Sequence, residues 1–373
     1  MRKHVRQNPA GSPPQSASRI LIAGGGTGGH AIPALCVADE LRARGAIVEF
    51  VGSTGGIERD LVPKAGYNLR ILPLAGLSGG PIARTRASLL FLKALQRCYS
   101  ILKDLRPGAV LGVGGYASAP AVLAASTLKI PTFLHEQNSV PGRVNRFASR
   151  FTNEVFVTFP EARRHLRDTS LVGMPTRKEF FAVSKEKAVK RLGLEPPVVL
   201  IFGGSGGALK LNLAAVEAFG GSETPYTIVQ ISGRRDFARL STNNTRHRIV
   251  EYEEEIWHTL AASEVVLMRA GAGSLFDVAA TGRAVVLIPY PHATGDHQLH
   301  NARYFTQRGA AELMPDDEVT ANSLRARVED LLKDDARRMR LASNMQTMAT
   351  PEAAREVAER LLTAATITKV RRS

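Results

Sequence analysis

Short runs of β-branched and aliphatic residues alternate with amphipathic stretches along most of this chain. From residue 19 the apolar runs Ile20–Ala23, Ile47–Val51, Leu69–Leu72, Ala109–Val113, Thr132–Leu134 and Glu154–Val157 read as strands. They are continuous rather than alternating, as expected of strands buried on both faces of a parallel sheet. Gly45 closes the first helical stretch and Pro107 the one before the fourth strand, both in the positions of C-terminal stop signals. The pattern restarts at Val198–Phe202 and continues through strands near Tyr226–Ile231, His247–Val250, Val265–Met268 and Ala284–Ile288. This predicts an α/β protein of two Rossmann-like domains with parallel sheets facing a cleft.

The expected organisation is a disordered tail over 1–18, an N-terminal domain over 19–176 and a C-terminal domain over 177–348. Residues 173–197, with Pro175, Pro196 and Pro197, read as a linker or hinge. A last helical pattern over 349–366 is expected to pack back on the first domain. A chain of 373 residues is long enough for two cores.

Glycine clusters follow four of the strands. GGGTGGH, Gly24 to His30, ends the first strand, and a helix is expected from about Ile32. Such a turn brings backbone N–H groups and a helix N-terminus to one point, which suits a phosphate. Gly24, Gly26 and Gly29 also satisfy GxGxxG, but Gly52 and Ser53 stand where a dinucleotide site needs an acid. A P-loop is excluded because no Lys-Ser or Lys-Thr follows the glycines. GVGGYAS (Gly112 to Ser118), GGSGGA (Gly203 to Ala208) and RAGAGS (Arg269 to Ser274) are the other three. One glycine turn is often only a tight turn. Several at strand C-terminal ends coincide with where open sheets bind ligands.

Composition adds limits. Cys36 and Cys98 sit in apolar stretches without metal-ligand spacing and read as core residues in a reducing compartment. No apolar run reaches the length of a membrane span, and the basic N-terminus has no apolar segment behind it. The formal charge of +15 favours polyanionic partners, phosphorylated substrates or anionic lipid among them. Nucleic acid is disfavoured, because no finger spacing or aromatic RNA-binding motif accompanies the basic residues. No Asp-x-Asp pair occurs, so a diphosphate is expected to be neutralised by helix N-termini and side-chain cations, without metal or other cofactor.

Taken in order, GGGTGGH, GVGGYAS, HEQN (His135 to Asn138) with Pro141-Gly142, GGSGGA and DHQLHNA (Asp296 to Ala302) resemble the MurG family. These are bacterial transferases that add N-acetylglucosamine to the lipid-linked muramyl-pentapeptide of peptidoglycan synthesis. The similarity runs from about residue 19 to 365 and implies the GT-B arrangement of two facing Rossmann-like domains. It implies UDP-N-acetylglucosamine as donor and undecaprenyl-linked muramyl-pentapeptide as acceptor, met at the cytoplasmic face of the cell membrane by a peripheral protein.

Carried onto this chain, the resemblance makes Thr27, Gly28, Gly29, Asn138, Arg177, Ser205, Asp277 and Gln298 donor-binding. Of these, Arg177 and Ser205 would meet the diphosphate and Gln298 the sugar hydroxyls. Gly26, Gly114, Gly115 and Tyr116 would hold the acceptor diphosphate. Met174, Gly206 and Asp277 depart from the family's usual Asn, Gln and Glu, and Glu253 stands where an apolar residue is common. Asp277 is also read as a helix-start acid, since acids favour first turns.

His30 is the candidate base that takes the proton from the acceptor 4-hydroxyl, because an imidazole with a pKa near ~6.5 is largely neutral at pH 7. The alternative for His30 is a helix-start hydrogen bonder that shapes the loop. His135 and Glu136 are expected to stabilise a loop or contact sugar. Along 81–106, Arg86, Lys93, Arg97, Ser100 and Asp104 form a polar stripe beside an apolar face including Leu89, Leu90, Phe91, Leu92, Leu95 and Leu102. Most of that face is expected in the core, with the basic loop before it meeting anionic lipid. Competing readings are a related two-domain transferase with another UDP-sugar or glycolipid acceptor, a nicotinamide-dependent oxidoreductase, and a non-catalytic sugar-nucleotide binder.

Overall fold

The computed structural model of the chain describes residues 17–74, 81–204 and 206–370. Expectations placed on the tail up to residue 16, on residues 75–80 of the basic loop and on Ser205 fall outside them.

The first sheet contains β1 (Arg19–Ala23), β2 (Ile47–Ser53), β3 (Asn68–Leu72), β4 (Ala109–Gly112), β5 (Thr132–Glu136), β6 (Glu154–Val157) and β7 (Thr169–Leu171). Its order is β3-β2-β1-β4-β5-β6-β7, parallel throughout. The connecting helices are α1 (Gly28–Ala43), α2 (Glu58–Lys64), α3 (Pro81–Leu105), α4 (Ser118–Thr127) and α5 (Arg143–Ala148). A pair of short helices follows, α6 (Glu179–Ala182) and α7 (Lys185–Leu192). The linker expected over 173–197 therefore carries structure of its own. Ser184 caps α7 by accepting from the Lys187 amide and Gly193 ends it in the left-handed region, the ordinary pairing of helix start and stop.

The second sheet repeats the plan with β8 (Val198–Phe202), β9 (Thr227–Ile231), β10 (His247–Val250), β11 (Val265–Met268), β12 (Ala284–Leu287) and β13 (Glu312–Leu313). Its order is β10-β9-β8-β11-β12-β13. Its helices are α8 (Leu209–Phe219), α9 (Ile256–Ala262), α10 (Ala272–Thr281), α11 (His297–Thr306), α12 (Ala321–Lys333) and α13 (Asp335–Thr347), and α14 (Ala353–Val370) closes the chain.

The strands form where they do because their side chains are buried on both faces: β4, β5, β8, β9, β11 and β12 contain no exposed residue. In the first domain α1 and α14 cover one face, with Val37, Leu41, Val357 and Leu361 against Ile20, Ile22 and Leu111. Cys98 and Leu102 of α3 and Ala121 of α4 cover the other with Leu21 and Val110. Full burial of one such leucine contributes about 1.5–3 kcal/mol. Helix α14 thus returns from the second domain to the first, where Arg360 also pairs with Glu154 of β6. Phe159, just beyond β6, lies in the second domain's core against Phe276 and Tyr304.

In each sheet the order of strand addition reverses between the first and fourth strands, β1/β4 and β8/β11, which remain parallel. These are the switch points at which parallel sheets open a crevice at their strand C-terminal ends. GGGTGGH and GVGGYAS follow β1 and β4, and GGSGGA and RAGAGS follow β8 and β11. All four glycine loops therefore flank the two crevices.

Candidate active site

On the N-terminal side the first two loops interlock. The Gly25 amide donates to the Gly114 carbonyl at 3.1 Å, and a Cβ on Gly115 would collide with the Gly25 backbone. Gly24, Gly25, Gly26, Gly114 and Gly115 all have positive φ, which side-chain-bearing residues rarely adopt. Helix α1 begins at Gly28, earlier than the sequence suggested, so His30 is in its first turn. The amides of Gly28 and Gly29 are consequently first-turn donors with no intrahelical partner. The Gly26 amide is differently placed: it donates at 2.6 Å to the buried carboxylate of Glu58. The expectation that Gly26 offers its N–H to the acceptor diphosphate is corrected here, because that donor is already occupied. Gly114 and Gly115 lead into Tyr116, whose ring is exposed beside the crevice.

The His30 ring packs over Gly114, where a Cβ would lie 2.9 Å from Nε2, and Nδ1 lies 3.2 Å from the Thr27 hydroxyl. Burial pushes its pKa below the ordinary value. Glu58 and a hydrogen bond with the Gly25 carbonyl oppose that shift, and His297 from α11 reinforces it. His30 is therefore fixed on the interlocked loops of the first domain and carries the influence of one group, His297, from the second. Burial also holds His135 well down, at about 4, with Nε2 3.0 Å from the Gly173 carbonyl.

Beside this pair Glu136 organises the HEQN turn. Its carboxylate accepts from the Asn138 amide at 2.9 Å, the Gly142 amide at 3.1 Å and Asn145 Nδ2 at 2.9 Å. Burial nevertheless raises its pKa. Asn138 is thereby set at the crevice, and Asn301 of α11 reaches it from the other domain. Asn301 Nδ2 donates to Asn138 Oδ1 at 3.2 Å and to the Ala270 carbonyl at 3.3 Å, while its Oδ1 accepts from the Ser139 amide and hydroxyl at 3.0 and 2.8 Å. Asn301 is fully buried.

On the C-terminal side Arg177 lies over the rings of Phe180 and Trp257, 4.9 and 5.0 Å from their centroids. Its Nε is buried without a partner among the described residues. A buried donor of this kind normally has an acceptor, and an anionic ligand would supply one. Asp277 feels the Arg177 charge, yet burial dominates and lifts its pKa to about 7. Asp277 is in the second turn of α10, whose first turn contains no acid, so the helix-start reading is corrected. Gln298 Oε1 accepts from the Tyr290 amide at 2.9 Å. In the third loop the Gly206 carbonyl accepts from Arg235 Nε at 2.9 Å. Arg269 is buried, with Nη1 on the Ile288 and Pro289 carbonyls and 2.6 Å from Asp316.

The structure thus brings Thr27, Gly28, Gly29, His30, Gly114, Gly115, Tyr116 and Asn138 to one crevice wall, and Arg177, Asp277 and Gln298 to the opposing domain. Sequence reasoning missed Glu58, Arg235, Trp257 and Asn301. Only Asn301 carried a signal, through its place in DHQLHNA. Among the described residues no cluster of His, Cys, Asp and Glu is arranged to hold a metal ion.

Residues 20–157 match the glycosyltransferase family 28 N-terminal domain and residues 198–361 its C-terminal domain. A Rubrobacter xylanophilus protein named UDP-N-acetylglucosamine--N-acetylmuramyl-(pentapeptide) pyrophosphoryl-undecaprenol N-acetylglucosamine transferase is 65% identical over 88% of this chain and 98% of its own length. A protein of that name from Citrifermentans bemidjiense is 36% identical over 91% of this chain and 98% of its own. The Acinetobacter baumannii MurG crystal structure superposes with a TM-score of 0.72 at 26% identity, covering 93% of this chain and 99% of that one. Facing parallel sheets, four glycine loops at two switch points and these similarities together place the chain in the MurG family of glycosyltransferases.

Proposed function

We propose that this chain transfers N-acetylglucosamine from UDP-N-acetylglucosamine to the 4-hydroxyl of undecaprenyl-diphospho-N-acetylmuramoyl-pentapeptide, with inversion at the anomeric carbon. The observation that carries this reading is His30, packed over Gly114 and beside Thr27 where the two glycine loops of the first sheet interlock at its switch point. The donor lies on the C-terminal side. Arg177 receives its diphosphate with the helix start after the third loop, Asp277 takes ribose hydroxyls, and Gln298 and Asn138 take the sugar. Developing negative charge on the leaving diphosphate is met by the guanidinium and oriented amides, which act strongly in a crevice that excludes water.

The acceptor diphosphate sits against Gly114, Gly115 and Tyr116. Its 4-hydroxyl attacks from the face opposite UDP while His30 takes the proton. Burial favours the neutral imidazole needed at the start, and the Gly25 carbonyl and Glu58 favour the imidazolium that results. The bond to the diphosphate breaks as the new glycosidic bond forms, so one displacement inverts the centre.

The acceptor's lipid tail stays in the bilayer, and α3 offers a surface for it. Leu89 and Leu92 are 57% and 60% exposed, whereas Leu90, Phe91 and Leu95 are half-buried and Leu102 is buried, so the outward part of that face is these two leucines. Lys93 and Arg97 are exposed on the same helix. No helix of the described residues is long and apolar enough to cross a membrane. Peripheral attachment at the cytoplasmic face follows from apolar contact assisted by basic side chains. The deciding assay supplies labelled UDP-N-acetylglucosamine and the muramyl-pentapeptide lipid without added metal; a disaccharide-lipid product is expected. Free sugar alone, or no consumption of donor, would refute the reading.

A further inference from the structure

Glu58 opens α2, a position where an acid normally serves the amides of its own helix. Its carboxylate does something else. Oε2 accepts from the Gly26 amide at 2.6 Å, and Oε1 accepts from the Ser53 amide at 2.8 Å and the Ser53 hydroxyl at 2.9 Å. The residue is 1% exposed, and among the described residues no Lys or Arg pairs with it. Three glycines make room for it: a Cβ on Gly25, Gly52 or Gly56 would run into this one side chain.

Burying a carboxylate without a counter-cation is costly; its two oxygens are met by the Gly26 and Ser53 amides and the Ser53 hydroxyl, donors that a side chain with only one acceptor oxygen could not all satisfy. The nearby group that gains from a negative charge here is His30. We propose that Glu58 is a positioning residue for the transfer step: gripped by the Gly26 and Ser53 amides, it fixes the first glycine loop from beneath and presents a negative charge to the imidazole of His30. This rests on the reading of His30 as the base.

The arrangement divides labour as an orienting carboxylate does behind a catalytic histidine, with the difference that the contact is made through the loop backbone. When the acceptor hydroxyl gives up its proton, the imidazolium forms beside a charge already in place. The titratable groups acting on His30 are Glu58 from α2 and His297 from α11 across the crevice, and His30 in turn acts on His135 of β5. Of these only Glu58 supplies negative charge.

The test uses the full-length protein and Glu58→Gln, with Glu58→Asp, which keeps the charge and withdraws it by one methylene, as companion should the glutamine variant not fold. Turnover and donor KM are measured from pH 5 to 9 with the lipid-linked acceptor, and the His30 ring is titrated by NMR in protein labelled at histidine, its signal assigned by its loss in His30→Ala. The expected result is a fall of about tenfold in kcat with donor KM nearly unchanged. The acid limb of kcat and the His30 titration should both move down by about one pH unit, as loss of a neighbouring opposite charge requires. Glu58→Asp should fall between wild type and Glu58→Gln.

Unchanged turnover overturns the proposal. So does lost turnover with the His30 titration unmoved, which would leave Glu58 as scaffold only. His30→Ala separates the two failures: turnover retained there ends the base reading and this proposal with it, whereas turnover lost there but intact in Glu58→Gln ends this proposal alone.

Discussion

The first glycine loop, after β1, and the third, after β8, occupy the same place in the same topology, yet they are braced by opposite charges. Beneath the first, the Glu58 carboxylate takes a loop amide. Beside the third, the Arg235 guanidinium takes a loop carbonyl, while the acid nearest it, Asp236, is engaged by Asn212. Both braces come from the segment after the second strand of their sheet, Ser53 to Glu58 and Ser232 to Asp236. One fold therefore prepares two unlike sites. A loop backed by an anion favours a proton acceptor and the cation it becomes; a loop backed by a cation favours a departing diphosphate.

The largest effect that would break this comparison is on the nucleophile side. His30→Ala is expected to lower kcat by about 10²- to 10⁴-fold, the range for loss of general-base catalysis, with donor KM little changed because the proposed diphosphate and ribose contacts, Arg177 and Asp277, lie on the other side of the crevice. A steady-state titration of donor at saturating acceptor reads this directly. Equal damage to both constants would mean that His30 binds donor, and the division between loops would fail.

Next comes the leaving-group side. Asp277→Asn is expected to raise donor KM by about tenfold at pH 8, through loss of the carboxylate proposed to accept from the ribose hydroxyls. The sign of the pH dependence follows from a pKa of about 7 against an ordinary 3.8. Below 7 the carboxyl is largely protonated and a poorer acceptor, so wild-type KM should fall as pH rises through that value, and the variant's should not. Stability runs the opposite way. A raised carboxyl pKa contributes stability that is complete below about 3.8 and lost as pH rises through about 7. Urea titrations at pH 4 and pH 8 should therefore show Asp277→Asn gaining relative to wild type at the higher pH.

Asn301→Ala probes the joint between the halves. It removes contacts to Ser139, Asn138 and Ala270 at once and leaves buried groups unpaired, which should cost about 2 kcal/mol in thermal or urea unfolding. Turnover should fall as well, since Asn138 loses the partner that fixes it. A stable variant with normal turnover would show that the domains are registered by the Phe159 packing and α14 alone.

What the sequence disclosed follows from the range of the forces involved. Buried parallel strands must be apolar on both faces, so the main strands of both sheets read directly, with ends shifted by a residue or two. β7 and β13 did not: they are two or three residues long, partly polar and at sheet edges. The glycine loops were legible because close backbone approach leaves no other residue possible. Their partners were not. Glu58 lies 32 residues from Gly26, and Asn301 lies 163 from Asn138, so neither pairing leaves a local pattern. Asp277 looked like a helix-start acid but lies a turn too late, whereas Glu58, an acid that does open a helix, serves a different loop.

The smallest expected effect sharpens the comparison most. Arg235 is exposed and, among the described residues, hydrogen-bonds the Gly206 carbonyl alone, so Arg235→Ala should leave stability within about 0.5 kcal/mol of wild type. If its charge helps the third loop to receive a diphosphate, donor KM should rise about threefold at low ionic strength, and the difference should shrink as salt screens an exposed cation. Arg235→Lys keeps the charge but not the planar fork that reaches the carbonyl with two nitrogens. Rescue of KM by lysine assigns the effect to charge; a lysine variant as weak as alanine assigns it to loop geometry, and then the contrast between the two loops is one of shape rather than of sign.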